Sequence, residues 1–228
     1  MGGPVVTIAC FANSWKNSGR CVAGRVFGNG RFGAWVRPVS ARPTRELNWP
    51  ERACDGVREP RVLDVLQVAL ARPEPELHQT ENHLIDPSRG WRHLDALPWS
   101  VALGAAERPR SLWLDPGDGP DSKYGGNDRV PQKLLSNLSR SLSLIHPEQL
   151  DIVVQEEPTE DGMRRRIRAD FIYGDKRYIL RVTDAVFEGL FRGRPLGVYP
   201  IREALLCVSL GEVFHGYAYK LVAAVITP

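Results

Sequence analysis

The last third of the chain alternates apolar runs with polar turns, in an order that restricts the fold more than any other feature of the sequence. Each run has the length and composition of a strand, and Gly, Asp or Glu residues separate the runs. The runs cover residues 150–155, 164–173, 177–183, 204–210 and 217–226. Between the third and fourth runs, residues 185–192 have the apolar spacing of a helix, which predicts that Val186, Phe187 and Leu190 face inward.

This order of strand, strand, strand, helix, strand and strand is the connectivity of a five-stranded OB-type barrel, in which the helix covers one end. Residues 222–226 are apolar on both faces, which predicts a central strand. The Gly-, Pro- and Asp-rich stretch 115–126 favours solvated turns and predicts a boundary before the barrel. A chain of 228 residues is long enough for one large domain or two small ones.

The opening of the chain predicts a further group of strands. Residues 4–12 and 20–27 are apolar enough for two strands, and the Asn29-Gly30 pair that follows predicts a tight turn because both residues accept positive φ. Residues 34–39 alternate until Pro38 removes a backbone donor. Trp35 in this third strand could stack on a base or cover the core, and the core interpretation is favoured for a lone tryptophan.

The same opening segment has an unusual charge pattern. The first 45 residues contain no Asp or Glu, although the whole chain is nearly balanced, with 30 Lys and Arg against 27 Asp and Glu. The basic residues of this segment are Lys16, Arg20, Arg25, Arg31, Arg37, Arg42 and Arg45. Because these side chains have no local acidic partner, each must be solvated, paired at long range, or available to an anion.

Within this basic segment, the polar run from Asn13 to Cys21 follows the first strand. Its small hydroxyl and amide side chains, with Gly19, let several backbone N–H groups point the same way, while Lys16 and Arg20 add charge. This pattern suits a phosphate or another anion. Its spacing differs from that of a Walker loop and of a dinucleotide-binding glycine motif. An ordinary polar turn with solvated Lys and Arg side chains explains the run equally well.

Several motifs together resemble the bacterial dual OB-containing domain family. They are Asn-Ser-x-Lys-x-Ser-Gly-Arg-Cys-Val-Ala-Gly from Asn13, Trp-Val-Arg-Pro-Val from Trp35, Leu-Arg-Val-Thr-Asp from Leu180, Leu-Cys-Val-Ser-Leu-Gly-Glu from Leu206, and Tyr-Lys-Leu-Val-Ala-Ala from Tyr219. The resemblance spans about residues 5–226. It implies a mainly β fold with minor α structure, built as two tandem OB-like small β-barrels. It also implies a role in prokaryotic conflict or defence systems, but no established reaction.

We therefore expect a first barrel in residues 1–120, with an irregular Pro-rich excursion, and a second in residues 121–228. The resemblance implies that the motif residues form a shared site for a ligand or nucleic acid. The candidates are Asn13, Ser14, Lys16, Ser18, Arg20, Trp35, Arg37, Asp184, Glu212 and Lys220.

Some of these candidates also have a structural explanation. Asp184 directly precedes the predicted helix and would cap it. Lys220 lies in an apolar strand and must reach the rim or pair with a carboxylate, for which Glu212, in the loop predicted at 211–216, and Asp184 are available. A structural ion pair is favoured over a ligand site.

The second predicted strand of the later barrel has a basic face. Arg164, Arg166 and Arg168 alternate along it, and such a face could track a nucleic-acid backbone. The preceding loop is acidic, with Glu156, Glu157, Glu160 and Asp161. Ordinary pairing between the two strands would neutralise the arginines, and we favour this interpretation.

Neither a metal nor a cofactor is predicted. The four cysteines lack a Cys-x-x-Cys pair, which favours buried reduced thiols, and the five histidines are dispersed. An enzyme would use Cys21 as nucleophile, or Asp184 and Glu212 as acid and base, but Cys21 has no histidine nearby in sequence. The sequence also lacks an apolar run of membrane-spanning length and a signal-peptide pattern, which predicts a cytoplasmic protein with no membrane partner.

The combined prediction is a non-catalytic protein that binds single-stranded nucleic acid or a nucleotide-like ligand through the basic surface of residues 13–37. Partner proteins of a defence system are a further expectation. A protein-recruiting scaffold is the alternative, and an enzyme acting on a nucleotide or nucleic acid is less favoured. We expect Arg20 and Arg37 to contribute to binding with little effect on stability, and Trp35 to stabilise the first barrel.

Overall fold

A computed structural model describes residues 3–113, 120–159 and 162–228, and the described residues form two compact units. The first unit consists of the described residues up to 105 together with Ser139–Ser141. The second consists of the remaining described residues from 106 onward. Residues 115–119 of the predicted linker at 115–126 lie outside the described residues, and the boundary at residue 120 stays a prediction.

The first unit contains a closed barrel of five strands. They are β1 (Val5–Lys16), β2 (Gly19–Gly28), β3 (Arg31–Val39), β4 (Asp64–Pro73) and β5 (Asn82–Ile85). The order around the barrel is β1-β2-β3-β5-β4, and β4 pairs with β1 to close it. Only the β3–β5 pair is parallel among these neighbours. This ring is the predicted OB-type barrel.

Shorter elements complete the first unit. A short helix, α1 (Trp49–Arg52), follows β3, and β6 (Arg92–Ala96) pairs with β4 outside the ring. A second short helix, α2 (Trp99–Leu103), follows β6. These elements match the irregular excursion expected from the prolines of this region.

Two tight turns shape the β1–β2–β3 meander. Asn29 and Gly30 have φ values of 51° and 70°, as the predicted two-residue hairpin turn requires. Gly19 is the first residue of β2, and this position requires glycine because a Cβ would lie 2.5 Å from the carbonyl oxygen of Leu47. The missing side chain lets Leu47 pair with Arg20, each backbone N–H donating to the other residue's carbonyl. The segment before α1 is thereby held against β2.

The core of the first barrel is made by the inward face of its strands. Ile8 and Cys10 of β1 pack with residues of the other strands and with Trp91. Trp35 is also buried, and its ring meets Phe11 edge-on at 6.1 Å between centroids. The core interpretation of Trp35 is the one that the structure shows.

The second unit is built on a sheet of eight strands. They are β7 (Arg129–Pro131), β8 (Leu142–Ile145), β9 (Gln149–Thr159), β10 (Gly162–Tyr173), β11 (Lys176–Val182), β12 (Gly197–Ile201), β13 (Leu205–Phe214) and β14 (Tyr217–Ile226). Seven follow the order β12-β9-β10-β11-β14-β13-β8, and β7 pairs with β14. A helix, α3 (Ala185–Phe191), follows β11, and a 3₁₀ helix (Gln132–Asn137) follows β7.

Five strands of this sheet repeat the order of the first barrel. The sequence β9-β10-β11-β14-β13 corresponds to β1-β2-β3-β5-β4, and β11 and β14 are again parallel. β12 pairs antiparallel with β9, and the chain enters β13 three residues after β12 ends. β12 is therefore the end strand of the sheet on the β9 side, and residues 202–204 connect it to β13. The sequence did not predict β12, whose Pro200 and exposed side chains resemble a loop.

The core of the second unit confirms the predicted position of the last strand. β14 lies between β11 and β13, and its Val222 packs with residues such as Ile152, Leu180 and Val208. A strand with neighbours on both sides and apolar contacts on its faces requires the nearly continuous apolar sequence of residues 222–226.

α3 faces the core with a different pair of side chains from the predicted one. Phe187 and Phe191 are buried and their rings stack at 4.9 Å between centroids, whereas Val186 and Leu190 are exposed. The prediction for Phe187 is confirmed, and the prediction for Val186 and Leu190 is wrong. Both pairs have the same four-residue spacing, so periodicity does not choose between them. The larger apolar area of the phenylalanines decides the orientation.

Asp184 ties α3 to β14. One carboxylate oxygen accepts hydrogen bonds from the backbone N–H of Val186 at 3.0 Å and of Phe187 at 2.9 Å, which is the predicted helix cap. The other oxygen accepts from the backbone N–H of Val225 at 3.1 Å. The residue therefore satisfies donors on two elements that are distant in sequence.

We predict that Asp184→Ala lowers the free energy of unfolding by about 2–4 kcal/mol. The substitution removes a helix cap, worth about 1 kcal/mol, and leaves the buried N–H of Val225 unsatisfied at a cost of about 1–3 kcal/mol. Urea denaturation measures the change, with the exposed Asp175→Ala as control. A loss no larger than that of the control would contradict the proposed tie.

Candidate ligand-binding site

The polar run of the sequence forms the end of the β1–β2 hairpin. Asn13 and Ser14 lie in β1 and are buried, and Lys16 ends this strand. Ser18 is exposed in the turn, and Arg20 belongs to the first residues of β2. The structure therefore brings Lys16, Ser18 and Arg20 to one hairpin tip. The side chains of Asn13 and Ser14 instead donate hydrogen bonds to other groups of the unit, including the backbone carbonyls of Pro60 and Cys21.

The carboxylate of Glu59 interacts with three side chains close to this hairpin. Its Oε1 accepts from Arg52 Nε at 2.8 Å and from Asn13 Nδ2 at 2.9 Å, and Arg20 Nε lies 3.7 Å away. We call these four residues the Glu59 cluster. With two arginines and one carboxylate, the cluster carries one positive charge in excess. Arg20 is thus paired at long range, which is one of the three alternatives left open by the sequence.

The charges of the cluster determine the ionisation of Glu59. Burial alone would raise the pKa of this carboxyl, but the hydrogen bonds from Arg52 and Asn13 and the positive charge of Arg52 and Arg20 outweigh burial. The pKa of Glu59 is consequently lowered. The side chain is an anion at neutral pH and holds both guanidinium groups in place.

Two half-exposed tryptophans lie against the arginines of the Glu59 cluster. The guanidinium carbon of Arg20 lies 3.4 Å from the centre of the Trp15 ring, and that of Arg52 lies 5.7 Å from the Trp49 ring. Each tryptophan is 43% exposed, in a unit where Trp35 is buried. We call the surface formed by Trp15, Lys16, Ser18, Arg20 and Trp49 the tryptophan face; Arg52 itself is buried.

Sequence reasoning did not select Trp15, Trp49, Arg52 or Glu59. A signal existed for Trp15, because an apolar ring stands between Ser14 and Lys16 in the polar run. No comparable local signal existed for Trp49. It reaches the site because the segment before α1 pairs with β2.

Arg37 lies in the interior of the first unit, and the expectation of an accessible side chain is wrong. The residue is only 3% exposed. Its Nη2 lies 3.3 Å from Glu81 Oε1 and donates to Ser141 Oγ at 2.8 Å, while Nη1 donates to Asn82 Oδ1 at 3.2 Å. Ser141 Oγ also donates to Glu81. Arg37 thus belongs to a buried polar network and not to the tryptophan face.

Lys220 is 1% exposed, and its partner is an amide in place of the predicted carboxylate. Its Nζ donates to Asn127 Oδ1 at 2.8 Å and lies 5.1 Å from the centre of the Tyr178 ring. Burial lowers the pKa of Lys220 to about 7, although the charge of Asp128 opposes this shift.

Glu212 and Asp184 lie elsewhere in the second unit. Glu212 is exposed and belongs to β13, which continues to Phe214 and leaves a turn of only His215 and Gly216. The prediction of a longer loop from 211 to 216 is therefore wrong. Asp184 directs both oxygens to backbone N–H groups.

The basic face of β10 is partly neutralised by its own unit, as the favoured interpretation predicted. Arg168 donates to both oxygens of Glu157 on β9, at 2.6 and 3.0 Å. Arg177 makes a similar pair with Asp170, at 2.7 and 2.5 Å. Two other residues of the predicted acidic loop, Glu160 and Asp161, lie outside the described part of the chain.

The described residues contain no group of three or more His, Cys, Asp or Glu side chains that could hold a metal ion. The four cysteines, all in the described part of the chain, form no disulfide, and burial raises the pKa of Cys54 to about 12. Among these same residues, every helix is too short or too polar to cross a membrane.

Comparison with known proteins identifies the family of this chain. The chain belongs to the dual OB-containing domain family, whose model matches residues 6–225. The match covers both units and confirms the resemblance found in the sequence motifs. No curated protein and no solved structure matches the chain.

We predict that Arg37→Ala lowers the free energy of unfolding by about 3–5 kcal/mol, because it leaves the buried charge of Glu81 uncompensated. Exchanging both residues, as in Arg37→Met with Glu81→Leu, should recover much of this loss since no buried charge remains. Urea denaturation measures both variants, with the exposed Arg72→Ala as control. Equal losses in Arg37→Ala and Arg72→Ala would contradict a buried ion pair.

A second prediction concerns Lys220 and pH. The pKa of this lysine falls from 10.5 to about 7 on folding, so the unfolded state binds more protons between these values. The lysine therefore destabilises the fold fully below pH 7, and this penalty fades as the pH rises. We therefore expect Lys220→Met to be more stable than wild type at pH 7. The difference in the free energy of unfolding between the two proteins should shrink by about 2 kcal/mol between pH 7 and pH 9.

Chemical denaturation at several pH values measures this difference. Comparing Lys220→Met with wild type cancels the titration of Cys54 and Tyr178, which both proteins share. A stability difference that stays constant from pH 7 to pH 9 would show that Lys220 is not titrating in this range.

Proposed function

We propose that this member of the dual OB-containing domain family binds single-stranded nucleic acid, or a nucleotide-like ligand, through the tryptophan face of its first barrel. One observation carries the proposal: two half-exposed indole rings each lie against a guanidinium group, and both guanidinium groups converge on Glu59. Such a surface offers stacking and positive charge together.

The stacking part of the proposal follows from the position of Arg20. Its guanidinium lies 3.4 Å from the centre of the Trp15 ring and covers one side of the ring. Trp15 is nevertheless 43% exposed. The uncovered side of the indole is available to a base. Stacking of a base on an aromatic side chain is worth about 1–3 kcal/mol and tolerates any base.

The electrostatic part follows from the composition of the cluster. Arg52 and Arg20 both lie on Glu59, and Lys16 places a third cationic side chain at the hairpin tip. Phosphate groups on either side of a stacked base would meet these cations. Contacts of this kind release counterions, so affinity should fall as the salt concentration rises.

The location also supports the proposal. OB folds bind oligonucleotides on their second and third strands and at the neighbouring loops. The tryptophan face includes the β1–β2 turn and the beginning of β2, together with the α1 segment that pairs with β2 at Leu47.

Other parts of the expected function rest on the family resemblance and on composition, and they stay predictions. These are a role in a prokaryotic defence system, binding to partner proteins of that system, a cytoplasmic location and the absence of catalysis. The nucleic-acid proposal does not depend on any of them.

We predict that labelled single-stranded DNA or RNA binds the full chain at low salt and less tightly at higher salt. Trp15→Ala and Trp49→Ala should each weaken binding by about 5- to 150-fold, which corresponds to about 1–3 kcal/mol of lost stacking. Lys16→Ala should instead reduce the slope of log affinity against log salt by about one. Fluorescence polarisation at two or more salt concentrations measures these effects.

Leu94→Ala is the matched control for the tryptophan variants, because Leu94 is 44% exposed on β6 of the same unit. It should bind like wild type. The proposal fails if no strand binds at low salt, or if both tryptophan variants bind as tightly as Leu94→Ala.

A further inference from the structure

The second unit contains a pocket of about 240 Å³ with a strongly basic lining. It is lined by Arg165, Arg166, Ile167, Arg181, Glu188 and Arg192. These residues come from β10, β11, α3 and the residue after α3. Four guanidinium groups and one carboxylate give the described lining a net charge of +3.

The arginines of the pocket differ in the hydrogen bonds that they make within the unit. Arg165 donates to the backbone carbonyls of Arg192 and Arg194, both at 2.7 Å, and so holds the end of α3. The Nε of Arg181 is buried and has no hydrogen-bond partner among the described residues. Arg168, which lies opposite Arg181 on β10, is already occupied by Glu157. Arg181 thus keeps donor capacity that the unit does not use.

The electrostatics of the pocket are unfavourable when nothing is bound. Burial lowers the pKa of Arg181, and the charge of Arg166 lowers it further. Burial also raises the pKa of Glu188, although Arg181, Arg166 and Arg192 act against this shift. The half-buried Glu188 is therefore the one carboxylate in the described lining, and Glu157, which Arg168 already binds, adds a weaker negative charge near Arg181. An anion of higher charge would compensate the guanidinium groups better.

The size and donor type of the pocket narrow the ligand class. A volume of about 240 Å³ is below the range of about 300–1,000 Å³ that is typical of pockets for drug-sized ligands. Guanidinium groups match the oxygens of phosphate in two-pronged contacts. A compact phosphoryl group satisfies both conditions.

We propose that this pocket binds a multiply charged phosphoryl group, namely a phosphate monoester or a diphosphate. Arg181 and Arg166 contact the phosphoryl oxygens, Arg192 adds charge from the end of α3, and Arg165 is a positioning residue. Glu188 is the internal competitor that limits affinity. The group belongs either to a small molecule or to the end of a nucleic-acid strand. The site lies in the second unit and does not depend on the tryptophan face.

Isothermal titration of the full chain with pyrophosphate tests the pocket. Arg181→Gln should weaken binding at least about tenfold, because it removes a charged two-pronged donor. Glu188→Gln should tighten binding by about tenfold, since it removes the competing negative charge without changing the shape of the side chain. Arg177→Gln on the same strand is the control, because Arg177 is exposed and paired with Asp170, and it should bind like wild type.

The gain expected for Glu188→Gln protects the test from folding defects, because a misfolded variant would not bind more tightly. Failure of pyrophosphate to bind wild type, or equal affinities of wild type, Arg181→Gln and Glu188→Gln, would overturn the proposal. Titration of Trp15→Ala separates the two sites, since this variant should keep wild-type pyrophosphate affinity whatever happens to strand binding.

Two oligonucleotides distinguish the source of the phosphoryl group. One carries a 5′-phosphate and the other, of identical sequence, carries a 5′-hydroxyl. Tighter binding of the phosphorylated strand, lost in Arg181→Gln, assigns the pocket to strand ends. Equal binding of the two strands, together with Arg181-dependent binding of pyrophosphate, assigns it to small phosphorylated molecules. Both results support the proposed chemistry.

Discussion

The parallel pairing of the third and fifth strands is the constraint on which both units depend. β3 pairs with β5 and β11 pairs with β14 in this way. A parallel neighbour cannot follow through a tight hairpin, so the chain must leave the sheet and return. In the first unit, this excursion brings α1 and Glu59 to the β1–β2 hairpin. In the second unit it contains α3, whose Glu188 lies beside the arginines of β10 and β11. Both candidate sites therefore arise from the same topological requirement.

The arginines of the acid-free opening segment form ion pairs with carboxylates that lie later in the chain, in this excursion or after it. The ion pairs are Arg20 with Glu59, Arg37 with Glu81, Arg42 with Glu51 and Arg45 with Glu74. These ion pairs differ in how deeply they are buried. Arg37 and Glu81 form a pair inside the unit, where an uncompensated charge would be costly. Arg20 shares Glu59 with Arg52, and its side chain is 15% exposed, compared with 4% for Arg37.

The family motifs of the second unit have structural contacts. Asp184 joins α3 to β14, and Lys220 holds Asn127 next to the barrel. The pocket arginines, by contrast, lie outside the motifs that carry the resemblance, apart from Arg181. An OB fold does not by itself specify a function, because ligands are recognised by side chains placed on the fold. We propose the tryptophan face and the arginine pocket as two such placements, the first for bases and the second for phosphoryl groups.

The sequence by itself determined the succession of β9, β10, β11, α3, β13 and β14, the Asn29-Gly30 turn and the central position of β14, because alternation and turn residues act on neighbouring backbone. It also identified the hairpin that carries Lys16 and Arg20. Only the tertiary structure decided which carboxylate meets each arginine, which face of α3 is buried, and that Trp49 lies near the hairpin of Trp15. These contacts join residues far apart in the chain, and they depend on strand register and on the path between β3 and β4, which no local propensity encodes.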